Sequence, residues 1–166
     1  KDTTAAGGAQ MIREGPSDNT VSLIILRRDV HVRTRGMIGS FDLAVGAIRL
    51  LLAARERLGA ASKVYAMSVM CEQNYRELDA FYEFVLHDLR ADKLKLNFLQ
   101  PTFGPLESLE DDVFFRKNVI QDYEELGRIL AECDAKYGLG LNPEWVRVVK
   151  LYHRDVHAAG DAGRGW

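Results

Sequence analysis

KVYAMSVM, residues Lys63 to Met70, decides the fold. The run is mostly apolar and too short for a buried helix, so it reads as a strand. The same signal recurs on either side. VSLIIL, Val21 to Leu26, is rich in β-branched residues and continuous enough to be buried on both faces of a sheet. LKLNFL, Leu94 to Leu99, alternates as a third strand, and QPTFGP, Gln100 to Pro105, closes it with two prolines and a glycine.

Helical patterns fill the gaps. Phe41, Ala44, Val45, Ile48, Leu51, Leu52 and Leu58 fall mainly at three- and four-residue steps, with Ser40 or Asp42 to cap the start and Gly59 to stop it. After a turn at Cys71 to Asn74, in which Asn74 is placed to cap, Leu78, Phe81, Tyr82, Val85 and Leu89 form a second apolar stripe. Val119, Tyr123, Leu126, Leu130 and Cys133 mark a third helix face. GLGLNP ends it, and Asn142-Pro143 opens another through Trp145, Val148, Val149 and Tyr152. Strands separated by helices of crossover length favour a parallel sheet. The expected class is α/β: three parallel strands with crossover helices, a fragment of a partial TIM-like barrel, followed by C-terminal helices.

The polar stretch 1–20, with Gly7-Gly8 and Gly15-Pro16, carries too little apolar surface to order itself and reads as a loose arm. The α/β domain is then expected over 21–158, with a flexible tail at 159–166. At 166 residues, 47% hydrophobic and 28% charged, the chain can bury a real core. Its formal net charge of -2 provides no global basic field, so neither nucleic acid nor an anionic membrane is expected as a partner. No apolar run approaches the ~20 residues of a membrane span, and the N-terminal stretch lacks a signal-peptide core. Cys71 and Cys133, far apart and outside any C-x-x-C spacing, argue against a disulfide framework or a self-contained metal site and suit a reducing, cytoplasmic setting. His153 and His157 have a metal-compatible spacing but no third ligand.

Ligands of parallel α/β folds bind at the carboxyl ends of the strands. The loop from Arg27 to Ser40 concentrates Arg27, Arg28, Arg33 and Arg35 with His31, a set suited to a carboxylate or phosphate. A solvated loop with Asp29 as ion partner is the competing reading. Cys71, at a strand end, can face a ligand or simply pack. Tyr75, Phe103, Phe114 and Phe115 can line an aromatic pocket or simply pack, and Glu107, Glu110, Asp111 and Asp112 suit a helix N-terminus.

Four motifs in order, S-L-x-x-L-R-R-D-V-H-x-R-x-R-G-x-x-G-S-F-D, A-x-x-A-I-x-x-L-L-x-A-R, N-Y-x-E-L and L-x-L-N-F-L-Q-P, resemble the second half of a radical S-adenosylmethionine (SAM) domain. The nearest type carries a SPASM or twitch extension, and the resemblance spans roughly Val21 to Tyr152. It implies strands four to six of a partial barrel that, when complete, cleaves SAM with an iron–sulfur (4Fe-4S) cluster and acts on peptides or small molecules. The same resemblance assigns cofactor contacts to Ser22 on the first strand, Arg35 at the SAM carboxylate, Asn74 at the second strand's turn, and Leu99 and Gln100 beside the adenine. The chain departs from the family at Ile24 and Ile25, where Asp-Gly is usual, and it lacks C-x-x-x-C-x-x-C. Three thiolates hold such a cluster, so this chain alone is expected to be inactive, with no metal ligands and no tightly bound SAM. Its catalytic residues are not assigned. The expected partner is the missing N-terminal half-barrel, or a second copy through an open sheet edge. The alternative is a non-catalytic α/β binding module that uses the arginine loop for an anionic ligand or partner.

Overall fold

The computed structural model describes residues 5–15, 17–28, 36–101 and 112–161. Among them the chain is α/β, with one sheet of three parallel strands in the order β1 (Asp18–Ser22), β2 (Lys63–Met70), β3 (Lys93–Phe98). Six α-helices are described: α1 (Ala5–Glu14), α2 (Ser40–Leu58), α3 (Leu78–Glu83), α4 (Val113–Asn118), α5 (Tyr123–Tyr137) and α6 (Pro143–Asp161). The described residues divide into two compact units, one drawn from Lys1–Ser68 and Ala80–Asn97, the other from Val69–Asp79 and Phe98–Trp166.

In the first unit β1 pairs with β2 from Asp18 opposite Lys63 to Ser22 opposite Met67. The strand therefore begins before Val21 and leaves the ladder after Ser22, because its start is set by the start of β2. Leu23 and Ile25, just beyond it, are nonetheless fully buried. Their hydrophobicity reports burial rather than strand. The Leu23 N–H reaches the Met67 carbonyl at 2.8 Å, and the Ser68 hydroxyl donates to the Ile24 carbonyl at 2.5 Å.

The expectation that Val21 to Leu26 is buried on both sheet faces is corrected: Leu23 and Ile25 are buried, but Val21, Ser22, Ile24 and Leu26 are half-open, and β2 alternates in the same way. Val64, Ala66 and Ser68 of β2 are buried, whereas the alternate Tyr65 and Met67 are half-open. Adjacent parallel strands joined by right-handed crossovers place successive helices on one face. The rings of Phe41 in α2 and Phe84, just after α3, lie 6.4 Å apart, in keeping with that arrangement.

The loose arm is also corrected. Residues 5–14 form α1, which packs on α2 and buries Ala9 and Ile12. Helix α2 buries Phe41, Ala44, Val45, Ile48 and Leu51, as its periodicity predicts. It ends at Gly59, whose φ of 59° lets its N–H reach back to the last carbonyls of the helix. The start of β2 is tied down by Asp92, whose carboxylate accepts from the Val64 N–H at 2.9 Å, from Lys63 at 3.2 Å, and from Arg55.

In the second unit α4 and α5 are capped by Asp112 and Asp122, which accept from the N–H groups of Phe115 at 2.9 Å and Glu125 at 2.8 Å. Leu126, Leu130 and Cys133 form the buried face of α5, which packs on α6. Val119 is buried in the link before α5 rather than within it. Helix α6 runs to Asp161, so residues 159–161, expected in the tail, are helical, and 162–166 lie outside the described residues.

Candidate functional site

The carboxyl ends of the strands place the expected contact residues as follows. Ser22 ends β1, half-buried, in the first unit. Arg35 lies outside the described residues, as do Asp29, His31, Arg33, Phe103, Glu107, Glu110 and Asp111. Arg28, at the described edge of that loop, pairs with Asp42 and lies 5.3 Å from the centre of the Phe41 ring.

In the second unit Asn74, Leu99 and Gln100 gather at the tip of β2. The Asn74 side chain is buried and bonded at both ends: its Nδ2 donates to the Val69 carbonyl and its Oδ1 accepts from the Cys71 N–H, each at 2.8 Å. It makes no side-chain cap to the following turn. The sequence signal for a cap is the same as that for a turn held back onto its strand, and the latter won. Leu99 joins the same tip, its N–H on the Met70 carbonyl at 3.2 Å and its carbonyl accepting the Tyr152 hydroxyl at 2.9 Å. Gln100 is exposed beside it.

The aromatic residues divide by role. Tyr75 is buried with its hydroxyl on Glu125 at 2.7 Å, Phe115 is in the core, and Phe114 faces solvent. Packing thus accounts for the first two. His153 is fully buried, edge-on to Tyr152 with ring centres 5.2 Å apart, and the His157 side chain lies outside the described part. Among the described residues no three of His, Cys, Asp or Glu are grouped to hold a metal ion.

Sequence reading missed an ionic lattice around the turn after β2. Glu125 accepts from Tyr75 and from Arg76 Nε at 2.9 Å, Arg76 also reaches Glu72 at 2.8 Å, and Glu72 accepts the Gln121 N–H at 2.9 Å. Alongside runs a groove of about 410 Å³ lined by Arg76, Asp79, Arg128, Glu132 and Lys136, with Cys133 among its walls. Its charges are matched: Lys136 and the Tyr137 hydroxyl both donate to Asp79, which holds that carboxyl below its usual range. Burial, followed by the field of Asp79, pushes the Cys133 thiol up to about 11, which favours the protonated thiol at neutral pH. Burial likewise raises the Cys71 thiol. The lattice ties the turn after β2 to the segment before α5 through the Gln121 N–H. Apart from the i,i+4 pair Arg76–Glu72, its bonds cross about 50 residues of sequence, so no local motif announces it.

The first unit holds a different arrangement on the open sheet face. Lys95 of β3 lies over the Tyr65 ring of β2, its ammonium 4.1 Å from the ring centre and 3.4 Å from the Thr20 hydroxyl of β1. Asn97 Nδ2 points at the Met67 sulfur at 3.4 Å. The polar positions of β3, at Lys93, Lys95 and Asn97, are the sequence signal that an outward face was present.

Compared with models of known families, with curated proteins and with solved structures, the chain matches none.

Proposed function

We propose that the chain is the C-terminal half-barrel of a radical SAM protein. The observation that carries the reading is the sheet itself. Three consecutive parallel strands lie in sequence order with one face packed and the other open, as in a segment of barrel wall. In the first unit Ser22 ends β1; in the second, Asn74 holds the turn after β2 and Leu99 and Gln100 follow β3, the kinds of position at which ligands of parallel α/β folds bind.

A 4Fe-4S cluster does not fit this chain alone. The sequence has two cysteines, one half-buried at a strand end and one buried in α5, and a cluster needs three thiolates. When bound, the cluster supplies the electron that cleaves SAM; residues of this chain would contact SAM and shape its pocket.

The test begins with the coding sequence around the segment, where C-x-x-x-C-x-x-C is expected about 100 residues upstream, on the scale of a whole barrel. Protein carrying both halves, purified without oxygen, is expected to hold iron and sulfide and to release 5′-deoxyadenosine from SAM on reduction with dithionite. A surrounding sequence without the motif, or loaded protein that leaves SAM intact, overturns the reading.

A further inference from the structure

The open face of the sheet carries a cation in an unusual setting. Thr20 and Tyr65 are register partners, and Lys95 stands on the strand beyond. At ~4.8 Å per strand, the Thr20 and Lys95 backbones are about 10 Å apart. The lysine side chain spans that distance across the tyrosine ring, which brings its ammonium over the middle strand of the sheet. Among the described residues no carboxylate lies within the 4.0 Å of an ion pair with it. Asp18, the acid at the head of the same face, accepts only a long bond of 3.5 Å from the Tyr65 hydroxyl.

The donors around the ammonium are equally undercommitted. Lys95 meets the Thr20 hydroxyl at 3.4 Å, long for a charge-assisted bond, and Asn97 meets a thioether sulfur, a weak acceptor. A half-buried cation positioned by an aromatic ring, with a hydroxyl on one side and an amide two residues along its strand, is arranged to receive oxygen atoms that carry negative charge.

We propose that this face binds a small oxyanion, a carboxylate or phosphate group, with Lys95 Nζ as its charge partner and Asn97 Nδ2 and the Thr20 hydroxyl as further donors. Under the half-barrel reading the anion is a group of the substrate, and that clause alone rests on it. The site itself needs neither SAM nor a cluster.

The test is an NMR titration of the isotopically labelled 166-residue chain with sodium acetate and, separately, inorganic phosphate, using sodium chloride as the ionic-strength control. Saturable shifts are expected at the Lys95 side chain and the Asn97 amide with one or both oxyanions and not with chloride. Saturation by acetate alone assigns a carboxylate, and saturation by phosphate alone assigns a phosphate. Lys95→Met abolishes the response, Lys117→Met on the exposed surface of α4 retains it, and Asp18→Asn tightens it roughly twofold by removing a like charge. Shifts that match chloride, fail to saturate, or survive in Lys95→Met overturn the proposal. The wild-type titration decides by itself should a variant not fold. Because SAM is absent from every arm, failure here leaves the half-barrel reading standing, and failure of that reading leaves the anion site standing.

Discussion

Asn74 holds the turn after β2 with both ends of one amide, and its burial makes each bond costly to lose. In Asn74→Ala the Cys71 N–H and the Val69 carbonyl lose their partners inside the protein, an expected loss of about 2–4 kcal/mol in urea unfolding. Asn74→Asp keeps the acceptor but turns an oxygen toward the Val69 carbonyl, so it should destabilise at neutral pH as well. A variant as stable as the parent would remove Asn74 from any structural role. Asp92 carries the clearest pH signature. Burial pushes its carboxyl up, but the Val64 N–H, Lys63 and Arg55 outweigh that and hold it below the ordinary range. A carboxyl depressed in the folded state stabilises above its unfolded value of about 4 and loses that contribution as pH falls through the folded value. The stability gap between the parent and Asp92→Asn should thus be flat near neutrality, about 1–3 kcal/mol, and close below pH ~4. A gap unchanged in acid would assign the effect to shape rather than charge. Neither role was legible beforehand, since Asn74 reads as a cap and nothing in the local sequence singles out Asp92 until the strands bring its partners together.

At the scale of elements, legibility followed periodicity. The stripe of Leu78 to Leu89 repeats at helical steps and is buried as that spacing predicts, and so is the α2 stripe from Phe41 to Leu51, whereas Leu52 is half-buried and Leu58, in the last turn, is exposed. β2 was bounded at both ends by its own apolar run. α1 was missed because Ala5 to Gly8 contribute almost no apolar surface and two adjacent glycines weaken the helix. Its order comes from docking on α2, which local composition does not encode. Ile12→Ala, which empties the buried contact, should therefore cost about 2–4 kcal/mol and expose α1 to proteolysis. Gly8→Ala should do the reverse. An added Cβ would meet the Leu50 carbonyl at 3.6 Å, ordinary contact, while the helix gains about 0.5–1 kcal/mol of propensity. If Ile12→Ala is silent in both thermal melting and limited proteolysis, α1 does not contribute to the fold. β1 was displaced for a related reason. Asp18, Asn19 and Thr20 look like a loop in sequence, yet their pairing is dictated by the beginning of β2.

For the whole molecule the deciding feature is a sheet whose two outer strands are both edges among the described residues. β3 presents Lys93 and Lys95, the charge pattern that discourages edge pairing, whereas the paired part of β1 carries only Asp18. β1 is therefore the edge through which a second strand should add, whether from the rest of a barrel or from another copy. The hydrogen-bond pattern identifies the exposed groups. Ser17 and Leu23 direct their backbone groups at Lys63 and Met67 of β2, so the alternate residues 18, 20 and 22 direct theirs outward. Thr20→Pro deletes one outward N–H while leaving the β2 ladder intact, the position at which a strand tolerates proline. Light scattering of the parent chain is expected to give a mass that climbs above 18.7 kDa as concentration rises, and of Thr20→Pro a mass that stays there. A parent that remains at the monomer mass when concentrated, or a proline variant that associates equally well, would reject the β1 edge as the pairing surface.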